Sequence, residues 1–161
     1  SSKSMGRKTI EAVKQLEALN SKNTLRVVLS IRSGSLTPDQ ISVRLGLDPS
    51  STSEKGECLY KGKSGELYAV SCSWRLESTG KIDDVLLASH LNWLVNDQLS
   101  GREEAIRKLS DDDCSIELIC YANQWTRLGY FEISPDMIAS ISQLGLRLKF
   151  QIMYENTDSE Y

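Results

Sequence analysis

A short phrase that occurs twice constrains the fold of this chain more than any other feature of its sequence. Each copy begins with a hydroxyl residue, a proline and an aspartate and ends in Leu-Gly-Leu, and the copies occupy residues 37–47 and 134–146. Each copy follows a strand-like run, and the second copy is followed by another such run. The repeat predicts two strand–helix units built on one plan; the alternative is that two helices simply begin in the same common way.

The residues of the phrase favour the beginning and the end of a helix. Thr37 and Ser134 can accept hydrogen bonds from the first amides of a helix, which have no partner inside it. The proline after each of them suits the first helical position, and the aspartate that follows suits the positive end of the helix dipole. Gly46 and Gly145 stand where a residue in the left-handed conformation ends many helices. We therefore expect one helix in each copy.

Length, composition and charge indicate a soluble globular protein. The chain has 161 residues, of which 40% are hydrophobic and 25% are charged. Its net charge of −3 argues against nucleic acid as the main partner, because phosphate binding usually requires a basic patch. No apolar run approaches the roughly 18 residues that a membrane span needs, and the first residues lack the apolar core of a signal peptide. We therefore expect a cytoplasmic protein that contacts no membrane.

The chain divides into one domain and two short terminal segments. Residues 1–23 form an N-terminal extension with an amphipathic helix, in which residues 1–4 have the composition of an expression remnant. Residues 24–154 are expected to form a single α+β domain, and residues 155–161 an acidic tail.

Hydrophobic periodicity predicts a mixture of helices and strands. The predicted elements are a helix at 8–20, a strand at 24–33, a helix at 37–46, an exposed loop at 48–65, a strand at 66–77, helices at 83–99 and 102–109, strands at 114–122 and 128–133, a helix at 135–144 and a strand at 146–154. The short step from 114–122 to 128–133 resembles a hairpin and argues against an all-parallel sheet. We expect an α+β fold, a mostly antiparallel sheet with helices packed on one face, either ferredoxin-like or built from duplicated strand–helix–strand units. A doubly wound sheet is the alternative.

Four cysteines and a single histidine provide little material for a metal site or a disulfide framework. The cysteines are Cys58, Cys72, Cys114 and Cys120, and none of them forms a C-x-x-C pair. No set of residues has the spacing of zinc ligands, and the thiols of a cytoplasmic protein are kept reduced. We expect no metal, no cofactor and no catalytic residues.

His90 is the only histidine and lies on the predicted helix at 83–99. It can act as a general base or a ligand, or it can be a packed histidine that is hydrogen-bonded to a neighbour. A thiol–imidazole pair with Cys72 is a further option, but nothing in the sequence brings these two residues together.

Two tryptophans differ in their surroundings. Trp74 lies on the predicted strand at 66–77, on the face that carries the large apolar residues, which favours a core position. Trp125 lies in a polar turn close to Arg127, a composition typical of an interface anchor; the alternative is a tryptophan folded back over the sheet edge. The candidate binding residues are therefore Trp125, Arg127, His90 and Trp74.

Several motifs between residues 24 and 154 occur in an order typical of one family. They are a strand with Trp74 and Leu76, a helix with His90-Leu91-Asn92-Trp93-Leu94, the step Gly129-Tyr130-Phe131, the Ser-Pro helix with its Leu-Gly-Leu stop, and a strand that closes in Ile152-Met153-Tyr154. In this combination the chain resembles the bacterial domain-of-unknown-function 4279 family. The resemblance implies a small intracellular bacterial domain with no assigned activity, so it supports the fold rather than a function. The stretch before Tyr154 lacks an acidic residue that the family pattern leads us to expect.

Small size, acidity and the polar turn at Trp125 favour a non-enzymatic protein-binding module. We expect its partner to be another protein, and an immunity-type protein that neutralises a toxin is a specific version of this hypothesis. The alternative is a small-molecule-binding or enzymatic domain with a pocket near His90. A third option is an oligomerisation module, a homodimer joined through the helix at 8–20.

Overall fold

The computed structural model describes residues 25–123 and 130–153, together with Ile10. Its α-helices are α1 (Pro38–Leu45), α2 (Leu87–Leu91), α3 (Glu103–Asp111) and α4 (Pro135–Gln143). Its strands are β1 (Arg26–Ser33), β2 (Ser51–Ser53), β3 (Cys58–Gly62), β4 (Gly65–Tyr68), β5 (Cys72–Glu77), β6 (Ser115–Asn123) and β7 (Arg147–Met153). A π-helical segment, Asn92–Gln98, continues directly from α2. None of the described helices is long and apolar enough to cross a membrane.

Five strands form one sheet, in the order β2-β5-β1-β6-β7, and β3 and β4 form a separate two-stranded sheet. The central strand β1 pairs antiparallel with both β5 and β6, and β2 pairs antiparallel with β5. β7 runs parallel to β6. The prediction of an α+β fold with a mostly antiparallel sheet is confirmed, whereas this strand order does not confirm the finer expectation of a ferredoxin-like arrangement.

The repeated phrase forms the beginnings of α1 and α4. Thr37 Oγ1 accepts a hydrogen bond from the Gln40 amide at 3.2 Å, and the Gln40 side chain accepts one from the Thr37 amide at 2.9 Å. Ser134 Oγ accepts from the Met137 amide at 3.1 Å. The glycines that follow the two helices have φ angles of 67° and 69°. Both helices are thus confirmed, but α1 leads to the short edge strand β2, which pairs with β5 and not with β1, whereas α4 leads to β7, which pairs parallel with β6.

The helices pack on one face of the five-stranded sheet, which we call the helix face. Alternate residues of the three inner strands supply it, namely Val27, Leu29 and Ile31 of β1, Cys72, Trp74 and Leu76 of β5, and Leu118, Cys120 and Ala122 of β6. Trp74 is fully buried, and its Nε1 donates a hydrogen bond to Ser42 Oγ of α1 at 2.9 Å. The core position predicted for Trp74 therefore matches the structure, and its polar nitrogen is satisfied.

The segment predicted as an exposed loop, 48–65, contains strands. β2 joins the edge of the sheet beside β5, while β3 and β4 form a hairpin, residues 58–68, which we call the arm. The predicted strand at 66–77 is divided between β4 and β5, and Val70 between them is exposed rather than buried. The prediction of a loop was wrong because every residue of both arm strands is exposed. Strands without a buried face do not need alternating polar and apolar residues, so the sequence pattern did not reveal them.

The helix predicted at 83–99 begins later and changes its hydrogen-bond spacing. The Asp84 carboxylate accepts a hydrogen bond from the Leu86 amide at 3.1 Å, and the Asp84 carbonyl lies 2.8 Å from His90 Nε2. These bonds hold residues 84–86 in a turn, so α2 begins only at Leu87. From Asn92 the chain is π-helical, which a periodicity argument cannot distinguish from an α-helix over so few turns.

The prediction of a strand at 128–133 was wrong for residues 130–133, the part of this range that the structure describes. Residues 130–133 are not in a strand, and the position beside β6 is occupied by β7. The pairing of β6 with β7 extends from Glu117 and Arg147 to Asn123 and Met153, a longer ladder than the short predicted strand could supply. Of the predicted helix at 8–20 only Ile10 is described, and the tail at 155–161 lies outside the described residues.

All four cysteines are free thiols. Cys58 on the arm is exposed, whereas Cys72, Cys114 and Cys120 are buried. Burial raises the pKa values of the Cys72 and Cys114 thiols and raises the pKa of Cys120 to about 12. The buried thiols are therefore held in the protonated form, which is a poor nucleophile.

We expect Cys58 to react rapidly with Ellman's reagent in the native protein and the other three cysteines to react only after unfolding, because the thiolate must be accessible to react. A thiol count with and without guanidinium chloride tests this.

The pKa of the Cys120 thiol is about 12 in the folded chain but about 8.5 in an unfolded one, so unfolding releases a proton between these values. The free energy of unfolding should therefore fall as the pH rises above about 8.5.

The matched control for the thiol count is Cys58→Ser. This variant should lose the rapid reaction of the native protein, and its other three cysteines should still react only after unfolding. A rapid phase that survives in this variant would show that a second thiol is accessible and would contradict the buried placement.

Candidate functional site

His90 is buried in the core region between α2 and the central strand, with 2% of its surface exposed. Its Nε2 lies 2.8 Å from the Asp84 carbonyl oxygen, and its Nδ1 lies 2.6 Å from Ser78 Oγ. Because a carbonyl can only accept, Nε2 carries the hydrogen, which makes Nδ1 the acceptor for the Ser78 hydroxyl. Ser78 Oγ in turn accepts from the Val27 amide at 2.9 Å. Both ring nitrogens are thus engaged within the protein, in a network that joins α2 to β1.

The other residues that the sequence singled out are placed apart from His90 or lie outside the described residues. The Cys72 thiol donates to the Leu36 carbonyl at 3.1 Å, at the beginning of β5. Trp74 lies in the core below α1. Trp125 and Arg127 lie outside the described residues, so the interface expected there stays a prediction.

The sheet face opposite the helices carries mostly polar side chains, and we call it the polar face. Strand register aligns its residues in rows, because residues on one face of paired strands lie directly beside each other. One row contains Arg75, Ser30, Glu117 and Arg147. The adjacent rows contain Ser73, Arg32 and Ser115 on one side and Glu77, Val28, Ile119 and Lys149 on the other.

The polar face contains a cavity of about 200 Å³ near its centre. Ser30 and Ser115 are short, so they leave a depression among the longer side chains of their rows. Three cationic side chains, Arg32, Arg75 and Lys149, line this depression together with one carboxylate, Glu117; the remaining lining residues are Ile119, Tyr121 and Gln151. The cavity therefore has a surplus of positive charge in a chain whose net charge is −3.

Arg75 is held in a defined position in this cavity. Its Nη2 donates a hydrogen bond to Tyr121 Oη at 3.1 Å, and its guanidinium carbon lies 5.7 Å from the centre of the Tyr121 ring. Its Nε lies 3.6 Å from a carboxylate oxygen of Glu77 and has no hydrogen-bond partner. Arg26 stacks on the same tyrosine ring at 4.5 Å, so cation–π contacts fix the aromatic side chain as well.

The arm exposes four large side chains although it is not part of the main sheet. Leu59, Tyr60, Leu67 and Tyr68 are exposed by 60%, 55%, 58% and 50%. The two arm strands also carry an ion pair of 3.3 Å between Lys61 and Glu66, and Cys58 gives the arm an exposed thiol. These apolar side chains contribute nothing to the core, because neither arm strand contains a buried residue.

A groove of about 780 Å³ lies between the π-helical segment and the beginning of α4. Asn92 and Asn96 line one side and are joined by a hydrogen bond of 2.7 Å, while Glu132 and Asp136 lie on the other side. π-Helical turns are frequent at functional sites. Among the described residues, no group of three or more His, Cys, Asp or Glu side chains is arranged to hold a metal ion.

The polar-face cavity and the arm were not identified from the sequence. Arg32, Arg75 and Lys149 come from three separate strands, and only the register of those strands brings them together. The signal that could have pointed to them is the alternation of β1 and β5, which places Arg32 and Arg75 opposite the apolar faces of their strands.

We expect the hydrogen-bond network of His90 to be structural. Ser78→Ala leaves the Val27 amide and His90 Nδ1 without partners in a buried place, so the free energy of unfolding should fall by about 2–4 kcal/mol. Chemical denaturation measures this change. The control is Thr79→Ala, the adjacent exposed hydroxyl, which should change stability by less than about 0.5 kcal/mol. Equal effects of the two variants would contradict the network.

Comparison with curated proteins and with solved structures finds no match. The model of one family, described as a domain of unknown function (DUF4279), matches residues 23–155. That match contains every helix and strand of the described fold, which confirms the resemblance seen in the sequence. Because the matched segment is most of the chain, the protein belongs to the DUF4279 family.

Proposed function

We propose that this protein is a protein-binding module and that the arm is the main contact with its partner. The observation that carries the proposal is the exposure of Leu59, Tyr60, Leu67 and Tyr68 on a single hairpin. Soluble proteins seldom expose clustered apolar side chains without a function, and such clusters commonly mark interaction sites. Tyrosine is also enriched among the residues that contribute most to interfaces.

The geometry of the arm favours a partner with an apolar cleft. Leu67 and Tyr68 are consecutive residues of β4, so they point to opposite faces of the hairpin. A cleft buries both faces at once, whereas an arm-to-arm contact across a two-fold axis buries only one face of each copy. A different protein is therefore the better occupant than a second copy of this chain.

Hydrogen bonds close the base of the arm, and one bond joins it to the body of the protein. The Gly56 amide donates to the Ala69 carbonyl at 2.8 Å, and the Ala69 amide donates to the Glu57 carbonyl at 2.9 Å. Lys55 Nζ donates to the Gly34 carbonyl, in the turn after β1, at 3.1 Å. These bonds order the arm before binding, which lowers the entropic cost of association.

An immunity-type protein that neutralises a toxin is one specific form of this proposal. The net charge of −3 suits a basic partner, because complementary charge accelerates association. The sequence predicts a second contact at Trp125 and Arg127, which lie outside the described residues.

A small-molecule-binding domain is the second candidate function. The groove beside the π-helical segment supports it, because Ala88 and Leu91, which flank His90 in the chain, line this groove. His90 itself is turned to Ser78 and Asp84. Ligand binding in the groove would therefore involve the residues around His90 rather than its ring.

A photocrosslinker attached to Cys58 tests the arm directly, since it is the exposed cysteine of the four. In lysate of cells that express the gene natively, the labelled full-length chain should capture one protein. With that protein purified, Leu67→Ser should weaken binding by about tenfold or more, because burying a leucine side chain contributes about 1.5–3 kcal/mol.

Two controls make the result specific. Val43→Ser changes an apolar side chain on α1 that is 81% exposed, and it should leave the affinity unchanged. A crosslinker moved to α3, in Cys58→Ser with Arg107→Cys, should capture no such protein. Equal capture from both positions, an unchanged affinity of Leu67→Ser, or crosslinks only between copies of this chain would each overturn the proposal.

A further inference from the structure

We propose that the cavity of the polar face is a binding site for a compact oxyanion, the phosphoryl or carboxylate group of a small molecule. The site consists of Arg32, Arg75 and Lys149, together with the hydroxyl groups of Ser30 and Ser115 that also line the cavity. It shares no residue with the arm, so it is independent of the function proposed above.

The charges around the cavity are only partly compensated. Lys149 lies 3.9 Å from Glu117, so the single lining carboxylate is already faced by one cation. Arg75 meets Glu77 at 3.6 Å without forming a hydrogen bond. Arg32 forms no ion pair with any residue in the described part of the chain. An anion that enters between Arg32 and Arg75 therefore finds two guanidinium groups with free donor capacity.

The donors in the cavity suit a group that only accepts hydrogen bonds. Guanidinium groups bind phosphate and carboxylate oxygens through paired N–H donors, and such charge-assisted bonds are stronger than neutral ones. Ser30 is the strand partner of Arg75, and Ser115 is the strand partner of Arg32, so the same cavity is lined by two hydroxyl groups as well as by the two guanidinium groups. The contact of Arg75 with Tyr121 Oη holds its guanidinium in place, which reduces the ordering that binding requires.

The size of the cavity limits the ligand to a small group. Its volume of about 200 Å³ is below the roughly 300–1,000 Å³ of sites that enclose drug-sized molecules. A phosphoryl or carboxylate group fits such a volume, and the rest of a larger ligand would lie outside it in solvent. Inorganic phosphate and malonate are therefore suitable probes of the two chemistries.

Isothermal titration of the full-length protein with each probe, at an ionic strength held constant with chloride, tests the site. We expect saturable binding of at least one probe with one site per chain. Arg32→Gln should weaken binding by about tenfold, because a hydrogen bond to a charged group contributes about that factor. Arg32 is exposed, so this variant should keep the melting temperature of the wild type, whereas Arg75→Gln also removes the contact with Tyr121.

Arg147→Gln is the matched control. Arg147 lies on the polar face, beside Glu117, but it does not line the cavity, so its removal should leave binding unchanged. Preference for phosphate over malonate would assign the site to phosphoryl groups, and the reverse preference would assign it to carboxylates. Absence of saturable binding of both probes, or equal weakening by Arg147→Gln and Arg32→Gln, would overturn the proposal, because the latter shows a diffuse field and not a site.

Discussion

The antiparallel pairing of β1 with β5 on one side and β6 on the other holds the fold together. β1 is the centre of the sheet, and its alternation separates the two faces of the protein. Val27, Leu29 and Ile31 lie on the helix face, where they are fully buried. The hydrogen bond from the Val27 amide to Ser78 connects the same strand to His90 and α2. The apolar core and the polar network of the fold thus converge on one strand.

The two faces of the sheet and the arm have different physical tasks. The helix face is closed by the core, and its polar groups, Trp74 Nε1 and His90, have hydrogen-bond partners. The polar face keeps three cations around two serines, an arrangement that core packing does not require. The arm places apolar side chains where they stabilise nothing within the chain. The proposals on function therefore rest on the cations of the polar face and the apolar side chains of the arm, whose positions core packing does not explain.

The sequence predicted best where structure depends on neighbours in the chain. The caps at Thr37 and Ser134 are local hydrogen bonds, and they begin the helices where the repeated phrase indicated. The alternation of apolar and polar residues along β1 is likewise local, and it agrees with the two faces of the strand in the structure. The arm, the π-helical turns after Asn92 and the position of β7 were missed, because each depends on hydrogen bonds between backbone groups whose partners are not marked by the pattern of polar and apolar residues. For the candidate site, the alternation of β1 places Arg32 opposite the apolar face of the strand, but it does not indicate which side chains lie beside Arg32.

Propensity, capping and periodicity act over a few residues, and they were sufficient to predict the fold class, the ends of α1 and α4, and the buried face of the strand that carries Trp74. The order and direction of the strands depend on contacts between distant parts of the chain, since β7 could join β6 only after α4 had turned the chain back. The register between the paired strands places Arg32, Arg75 and Lys149 around one cavity, although these residues are far apart in the chain. The hydrogen bond between the His90 ring and Ser78 depends on tertiary structure as well. It can form only when the end of β5 and α2 have been brought together by assembly of the sheet.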